Sequence, residues 1–342
     1  MIAEMLSSRL IPVSVASLDE WKKIEENSIC FIGSTQQIDF TRLFDSAGPR
    51  SYMVFSVYDD ETLIGGIIFQ VVPQRFEKRL VSMGGPTAAE QNLDKIMYQL
   101  NLFIKKNKGK FSFSISFIPQ PCLNIPEDLL KYRSKYSSET SIIVLKDRTL
   151  DSLWKGIKKG RKGDIKKTEK IMKINKVSDL ISLPDVYNII KDHSKMNKYG
   201  ADLNLEILES LFVIKEKFRI YAAFNNDGKM IAVAGFHYFH PDSMHLLFLA
   251  RRYDTTESQY SESALIWHSI KTFFHEGYHY LDLSGLPAKS SSKQGIRYFK
   301  LSFGGEIMPY VNIETNLLRR MLLNINNKGK LSGIILDKIR KK

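Results

Sequence analysis

The segment YFKLSFGG, residues 298–305, places one lysine inside an apolar run that stops at two glycines. Lys300 follows Phe299, and Gly304 and Gly305 close the run. An ammonium group held among apolar side chains loses part of its hydration and therefore acts more strongly on a nearby negative charge. The alternative is a lysine whose aliphatic stem lies on apolar surface while its charged end reaches water. The run thus indicates either a group that acts on a bound anion or a surface lysine.

A polar stretch precedes this run. The segment LDLSGL, residues 281–286, alternates Asp282 and Ser284 with leucines and reaches Gly285, which predicts a strand. The loop PAKSSSKQG, residues 287–295, follows and is rich in small and polar residues. Exposed serines and glycines present backbone N–H groups that bind phosphates, and binding residues often lie on loops. We therefore expect a ligand to be clamped by this strand, the loop and the aromatic-lysine turn that comes next.

The pentapeptide HEGYH, residues 275–279, matches the H-E-x-x-H pattern of zinc hydrolases. That pattern requires both histidines on one face of a helix. Gly277 predicts a helix end between His275 and His279, which removes this geometry, and no metal site is predicted. The other histidines show no ligand spacing and are interpreted as surface or packing residues; they are His193, His237, His240, His245 and His268.

The two halves of the chain repeat similar segments at offsets of 166 to 168 residues. DETLIGGIIFQVV from Asp60 and DGKMIAVAGFHYF from Asp227 each predict a turn and then a strand. Upstream, LDEWKKI and LPDVYNII align as helices. Downstream, each half predicts a helix that ends at Gly109 or Gly277, then an alternating strand and a proline.

The repeat predicts one order of elements in each half: a helix, a hairpin of strands, a helix of about fifteen residues and a buried strand. The expected fold class is α/β, with two domains related by internal duplication and mixed sheets flanked by helices. This order resembles a GNAT acyltransferase unit occurring in tandem. Chance similarity between two amphipathic α/β segments is the alternative.

Composition restricts the class of protein. The chain has 342 residues, of which 43% are hydrophobic and 25% charged, which is typical of a globular protein and excludes a disordered or fibrous one. No apolar run approaches the roughly 18 residues of a membrane span, and the N-terminus lacks a signal-peptide pattern. Cys30 and Cys122 do not suggest a disulfide framework. We expect a cytoplasmic protein.

The net charge of +13 is concentrated in two basic patches. Residues 155–176 hold ten Lys/Arg against two acidic residues, and residues 313–342 hold eight against two. Subtracting these from the total leaves −1 for the rest of the chain. The distribution suggests an anionic partner such as a phosphate-rich ligand, RNA or an acidic membrane surface, or else two solvated helix faces.

Several of these stretches together resemble the Fem family of aminoacyltransferases, which build peptidoglycan bridges, and the related FemAB-like or BioF2-like acetyltransferase domains. The stretches are LWKGIKKGRKGDIKKTEK at 153–170, LDLSGL at 281–286, GIRYFKLSFGG at 295–305 and, in the first half, MGGP at 83–86. The resemblance covers about residues 10–315 and implies tandem GNAT-like domains at 10–148 and 149–315. A basic helical tail is expected at 316–342.

The resemblance implies transfer of an acyl or aminoacyl group onto an amine, commonly on a cell-envelope precursor. Its Phe-Lys pair corresponds to Phe299 and Lys300, and the lysine is expected to contact donor phosphate or the charge of the tetrahedral intermediate. Arg161 lies at the family's recurrent arginine and is expected to bind a phosphate or carboxylate. A structural ion pair with Asp164 or Glu169 is the alternative for Arg161.

Further candidate residues surround these positions. Tyr260 precedes a predicted helix and is expected either to hydrogen-bond the acceptor, to serve as an acid, or only to pack. No general base is assigned, although Glu262, Asp282 and Glu306 are candidates. The residues expected to bind substrate together with Arg161 are Arg251, Ser284, Gly285, Arg297, Gly304 and Gly305.

Two features depart from the family pattern. Acetyl-CoA-dependent GNAT units carry glycines before the helix that follows the central strand, where backbone amides approach the pyrophosphate. Here residues 250–264 contain arginines and no glycine, whereas the first half offers Gly84 and Gly85. The stretch between Lys176 and Ile220 is also too short for the long helical hairpin that some members have.

The first functional hypothesis is an N-acyltransferase with no tightly bound cofactor. Its donor is acyl-CoA or aminoacyl-tRNA, and its acceptor is an amino group on a nucleotide- or lipid-linked envelope or polysaccharide precursor. The second hypothesis is a non-catalytic protein that binds RNA or a membrane surface. The C-terminal tail, with helical spacing of leucines and eight basic residues in 313–342, favours contact with the inner face of a membrane.

Overall fold

The computed structural model describes residues 6–28, 36–47, 51–74, 77–118, 123–134, 138–168, 171–197, 203–214, 217–239, 242–289 and 293–316. The chain divides into two compact units. The first unit comprises residues 1–140, 285–297 and 308–342, and the second comprises 141–284 and 298–307. The predicted tail falls almost wholly in residues 317–342, which lie outside the described residues.

The described residues form helices and strands in the following order. The first stretch of chain contains β1 (Leu6–Pro12), α1 (Leu18–Asn27), α2 (Ile38–Ala47), β2 (Ser51–Asp59), β3 (Thr62–Pro73), β4 (Lys78–Met83), β5 (Thr87–Ala88), α3 (Leu93–Asn107), β6 (Phe111–Phe117) and α4 (Glu127–Leu130). The remainder contains β7 (Glu139–Val144), α5 (Leu150–Gly156), α6 (Lys159–Thr168), β8 (Met172–Lys176), α7 (Leu183–Asn197), α8 (Leu205–Val213), β9 (Phe218–Asn225), β10 (Met230–Phe239), β11 (Ser243–Arg251), α9 (Ser261–His275), β12 (Tyr280–Leu286), α10 (Gln294–Leu301), β13 (Glu306–Pro309) and β14 (Val311–Glu314).

The repeat seen in the sequence is present in the structure. Helices α3 and α9 start at residues 93 and 261, 168 apart, and each spans 15 residues. Strands β6 and β12 start at residues 111 and 280, 169 apart, and each spans 7 residues. Each half also contains an additional strand and a second helix before the predicted hairpin, namely β1 with α2 and β8 with α8.

Each unit is built on one mixed sheet. Within the described residues, the strand order of the first sheet is β1-β2-β3-β4-β6-β14, with β5 paired to β3. The order of the second sheet is β13-β7-β12-β11-β10-β9-β8. Strand β14 pairs antiparallel with β6, so the first sheet is completed by the last strand of the chain. The compact units are therefore discontinuous in sequence, unlike the predicted domains 10–148 and 149–315.

A long helix covers the apolar face of each sheet. In the first unit α3 buries Ile96 and Leu100 in a cluster with Phe113. In the second unit α9 buries Ile270 and Phe273 in a cluster that includes residues of the neighbouring strands. Each fully buried side chain of this size contributes about 1.5–3 kcal/mol to folding. None of the helices that the structure describes is long and apolar enough to span a bilayer.

The central parallel strands are paired differently in the two sheets. Strands β4 and β6 pair along the whole of β4, from Lys78 facing Phe111 to Met83 facing Ser116. Strands β11 and β12 pair only at residues 243–245 and 280–282, although both continue beyond these positions. The second sheet therefore opens between the carboxyl ends of β11 and β12, whereas the first sheet stays closed.

A β-bulge on β11 accompanies this opening. The register with β10 shifts between Gly235, which faces Phe248, and Phe236, which faces Leu246, so Leu247 is the extra residue. A bulge bends its strand and increases the local twist. Gly235 accommodates the close approach of Phe248, because an added Cβ would lie 2.3 Å from that ring. The bulge thus gives a physical reason for the divergence of β11 from β12.

Candidate functional site

A half-buried histidine and a buried aspartate lie where β11 and β12 separate. His245 faces Asp282 at the last hydrogen-bonded position of the two strands, and its Nδ1 lies 2.9 Å from Oδ2 of Asp282. The backbone N–H of Ser284 donates to Oδ1 of Asp282 at 2.7 Å. Asp282 is 4% exposed. Both carboxylate oxygens are therefore held in place by the protein.

A second histidine continues this row across the sheet. His237 on β10 faces His245, and the two ring centroids lie 5.0 Å apart. His237 is 2% exposed. Burial lowers the pKa of His237 well below its usual value, and the neighbouring His245 lowers that pKa further. The ring of His237 is therefore neutral at physiological pH.

Lys300 lies in the last turn of helix α10, and not in the predicted turn between strand and glycines. The helix forms over residues 294–301, and the C-terminal end of a helix favours a positive charge. Burial lowers the pKa of Lys300 to about 8, and the negative charge of Asp282 partly opposes this shift. The poorly hydrated ammonium group of Lys300 and the carboxylate of Asp282 therefore interact electrostatically.

Ser284 and Gly285 follow the acidic residue on β12. Ser284 is half-buried and has a positive φ of 69°, a left-handed backbone conformation that is uncommon for a serine. Gly285 is exposed and belongs to the first unit. Their predicted role in substrate binding stays a prediction.

The start of helix α9 carries a group of charged and polar side chains. Arg251 at the end of β11 has its Nε 3.4 Å from Oε2 of Glu262 in the first turn of α9. Burial raises the pKa of Glu262, while Arg251 and Arg161 act in the opposite direction. Tyr260 is the N-cap residue of α9 and makes no side-chain capping hydrogen bond, and Lys167 Nζ lies 4.8 Å from its ring centroid. The N-terminus of α9 carries the positive end of the helix dipole, which favours an anion bound nearby.

Arg161 on α6 is embedded among neighbouring side chains of the second unit. Its Nη1 contacts Asp164 Oδ2 at 2.9 Å and donates to Ser263 Oγ at 2.8 Å. Its guanidinium carbon lies 4.5 Å from the ring centroid of Phe299 and 5.6 Å from that of Phe303. Burial lowers the pKa of Arg161. The Arg161–Asp164 ion pair is the alternative to anion binding that the sequence also suggested. Phe299 packs against the guanidinium group of Arg161.

Arg297 lies on the same helix as Lys300 but belongs to the first unit. It is 6% exposed, and its Nη1 lies 2.6 Å from Oε2 of Glu139. The same atom donates to the carbonyl oxygen of Pro287 at 3.0 Å. Its Nη2 has no hydrogen-bond partner among the described residues. Arg297 thus fixes the start of the loop that follows β12, and a role in substrate binding stays a prediction.

The glycine pair allows two close approaches of the backbone. Gly304 has a φ of 81°, and an added Cβ would lie 3.0 Å from the carbonyl oxygen of Gly156. At Gly305 an added Cβ would lie 2.4 Å from Ser141 Oγ. Packing accounts for both glycines, and their expected role in substrate binding stays a prediction.

The two histidines of HEGYH, His275 and His279, do not form a zinc site. Helix α9 ends at His275, and Gly277 has a φ of 83°. His279 follows this helix end, and its Nδ1 lies 3.5 Å from Asp242 Oδ2. Among the residues that the structure describes, no group of three His, Cys, Asp or Glu side chains is arranged to hold a metal ion.

Solved structures match this chain over nearly its whole length. FemX superposes with a TM-score of 0.68 at 11% identity, over 93% of this chain and 100% of FemX. The C-terminal domain of a protein assigned as a lysylphosphatidylglycerol synthetase from Agrobacterium fabrum gives 0.60 at 13% identity, over 92% of this chain and 96% of that domain. The chain has a FemX-like fold.

A tandem GNAT protein from the clavulanic acid biosynthesis pathway superposes with a TM-score of 0.51 at 8% identity, over 91% of this chain and 99% of that protein. The predicted α/β fold with two duplicated GNAT-like domains is therefore confirmed. No protein-family model matches the sequence. The search of curated proteins also found no match.

Within the FemX-like fold, the structure adds two residues that the sequence did not indicate as functional. His237 and His245 were interpreted as packing or surface residues because their spacing fits no metal site. Their significance depends on strand register, which brings both onto one row with Asp282. Alternation within a strand shows which residues share a face but not which residue of the next strand faces them.

Proposed function

We propose that this chain is an acyltransferase that moves an acyl or aminoacyl group from an activated donor onto an amino group, with its reaction centre in the second unit. The opening between β11 and β12 beyond His245 and Asp282 is the observation that carries this proposal. Backbone N–H and C=O groups at such facing strand edges offer hydrogen bonds to an extended donor. The closed pairing of β4 and β6 offers no comparable position.

The charges near this opening suit acyl transfer. Attack of an amine on an activated carbonyl forms a tetrahedral intermediate whose oxygen carries a negative charge. Lys300 is a half-buried cation that interacts electrostatically with Asp282, and it would stabilise that oxygen more strongly than a fully hydrated lysine. The N-terminus of α9 and Arg251 supply positive potential for the phosphates of the donor.

Donor and acceptor are proposed by chemical class. The donor is acyl-CoA or aminoacyl-tRNA, and the exposed lysines of α6 and the segment before it favour a phosphate-rich donor of either kind. The acceptor is an amino group on a nucleotide- or lipid-linked envelope or polysaccharide precursor. The shared fold with FemX and with a domain of a protein assigned as a lysylphosphatidylglycerol synthetase supports this class of reaction. Contact of the C-terminal tail with the inner face of a membrane is part of the same proposal.

The experiment is a transfer assay with labelled acetyl-CoA and labelled aminoacyl-tRNA in parallel, each with a cell-extract pool of acceptors. We expect transfer from one donor, and a loss of about 100- to 1,000-fold in Lys300→Ala. Lys191→Ala, at an exposed position of helix α7 outside the basic patch, is the matched control and should keep full activity. RNA or vesicle binding without transfer from either donor would favour the non-catalytic alternative.

A further inference from the structure

We propose that His245 is the general base of the transfer reaction and that Asp282 is its positioning residue; the inference rests on the proposed function. An amino group that accepts an acyl group is mostly protonated near neutral pH and has to lose a proton before or during attack. Histidine is the side chain best matched to accept such a proton. The sequence offers Glu262, Asp282 and Glu306 as candidate bases but does not select among them.

The hydrogen bonds around the pair select the required tautomer. A carboxylate accepts hydrogen bonds, so the contact of His245 Nδ1 with Asp282 Oδ2 at 2.9 Å places the ring proton of neutral His245 on Nδ1. The lone pair then lies on Nε2. The bond from the Ser284 amide to Oδ1 holds the carboxylate so that its other oxygen stays on the histidine.

The internal duplication provides a control for a purely structural role. The offset of 168 residues that aligns Gly109 with Gly277 also aligns Ser114 with Asp282, and Ser114 faces Val81 across β6 and β4. Both side chains are half-buried, and they alternate with Phe113 and Leu80, which belong to the core under the long helix. The same architecture therefore accepts a pair without ionisable side chains at the position that His245 and Asp282 occupy.

The third member of the row follows the same pattern. Gln70 faces Val81 in the first sheet, whereas His237 faces His245 in the second. Burying ionisable groups in place of uncharged ones lowers stability unless they are fully satisfied. An ionisable row at the edge of the opening, where the duplicated half has Gln70, Val81 and Ser114, indicates a chemical task and not a packing requirement.

The proton balance of the reaction is complete with these residues. Nε2 of His245 takes a proton from the ammonium form of the acceptor, and the nitrogen lone pair forms the new bond to the carbonyl carbon of the donor. The charge of Lys300 stabilises the resulting oxyanion, and Asp282 stabilises the imidazolium. When the tetrahedral intermediate collapses, the bond to the leaving sulfur or oxygen breaks, and the imidazolium returns its proton to that atom. The second proton that the nitrogen loses on becoming an amide is released to solvent.

Other titratable groups around His245 do not compete for this proton. His237 is the ionisable group from β10, Asp282 is that from β12, and Lys300 on α10 acts on Asp282. His237 is held neutral by its burial and by its neighbour. Lys300 is positively charged below about pH 8. The oxygens of Asp282 already accept from His245 Nδ1 and from the Ser284 amide, so the proton is assigned to His245.

The test compares His245→Gln with the unchanged protein, using whichever donor supports transfer and two acceptors. The first acceptor is the cell-extract pool, and the second is hydroxylamine, whose nitrogen is already unprotonated near neutral pH. We expect His245→Gln to lower the rate of transfer to the extract pool by about 100-fold or more. Transfer to hydroxylamine should fall less than about fivefold, because no proton has to be removed before attack.

Asp282→Asn is the second variant, because it preserves shape and serves if His245→Gln fails to fold. It should reduce transfer to the extract pool while largely sparing hydroxylamine, since an amide no longer fixes the Nδ1–H tautomer. Equal losses with both acceptors in a folded variant would overturn the role of His245. Absence of transfer by the unchanged protein with either donor would instead refute the proposed function, and the inference with it.

Discussion

His245 and Asp282 occupy the same register position in the second sheet that Val81 and Ser114 occupy in the first. The two sheets have the same central strands, the same long helix and closely similar element lengths. They differ in whether the parallel strands stay paired beyond this position. Duplication has therefore left one half with a closed sheet that has no ionisable residue at this position, and the other with an open sheet that carries a histidine–aspartate pair there.

Replacement of Lys300 by methionine should stabilise the protein while removing activity. Burial holds the pKa of Lys300 at about 8, below its usual 10.5, so the folded state disfavours the charged form. Methionine fills a similar volume without that charge, and we expect the free energy of unfolding at pH 7 to rise by about 1–3 kcal/mol. Urea denaturation of both proteins measures this. A structural lysine would instead give a less stable variant.

The pH dependence of stability should differ between these two proteins in a defined direction. Between about pH 8 and pH 10.5 the folded wild-type chain binds fewer protons at Lys300 than the unfolded chain does. Its stability relative to Lys300→Met therefore rises with pH across this window, and the difference between the two proteins shrinks. Transfer activity should fall over the lower part of the same window, because the charged form of Lys300 is lost. A constant stability difference from about pH 7 to about pH 10 would contradict the assigned pKa.

Substitution of Arg161 should mainly reduce stability. Arg161→Ala removes hydrogen bonds to Ser263 and Ser302 and the contact with Phe299, and we expect a loss of about 1–3 kcal/mol. Arg161→Lys should lose most of the same amount, because a point charge does not replace a planar fork. Lys166→Ala, at an exposed position of the same helix, should stay within about 0.5 kcal/mol. Unchanged stability with lost transfer would instead support the sequence-based role in anion binding.

The second glycine of the pair should be required for packing. Gly305→Ala places a methyl group 2.4 Å from Ser141 Oγ, and we expect the free energy of unfolding to fall by about 1–3 kcal/mol. Adding Ser141→Gly should recover part of this loss, since it removes the clashing atom. Gly295→Ala, where nothing lies within 4 Å, is the matched control and should be neutral or stabilising. Equal effects at Gly295 and Gly305 in thermal unfolding would exclude the clash.

Local sequence patterns predicted the elements that carry the fold. Apolar spacing and the glycine at 277 located α9 and β12, and the repeated spacing located α3 and β6. The pairing of the last strand, β14, with β6 of the first sheet was not predictable in the same way. Strand β14 is only four residues long, and its place beside β6 is decided by hydrogen-bond partners distant in sequence.

The candidate site could be predicted only in part, because some of its residues are brought together by contacts between distant segments. Asp282, Lys300 and Arg161 stood out because their residue types are unusual within apolar or basic stretches. The run around Lys300 is a helix because residues 294–301 have an apolar face at helical spacing, a pattern that the glycine pair obscured. His245 escaped notice because its meaning comes from the residue opposite, and strand register is a property of the folded sheet.

Photo-crosslinking of the acyl donor tests the central claim most directly. Acyl-CoA and aminoacyl-tRNA, each carrying a diazirine in the acyl group, are irradiated with the full chain, and the labelled peptides are identified by mass spectrometry. The account predicts labels on the open ends of β11 and β12, at residues 246–251 and 283–286, that unlabelled donor competes away. Labels on β4 and β6 instead, or labels that no donor displaces, would contradict it.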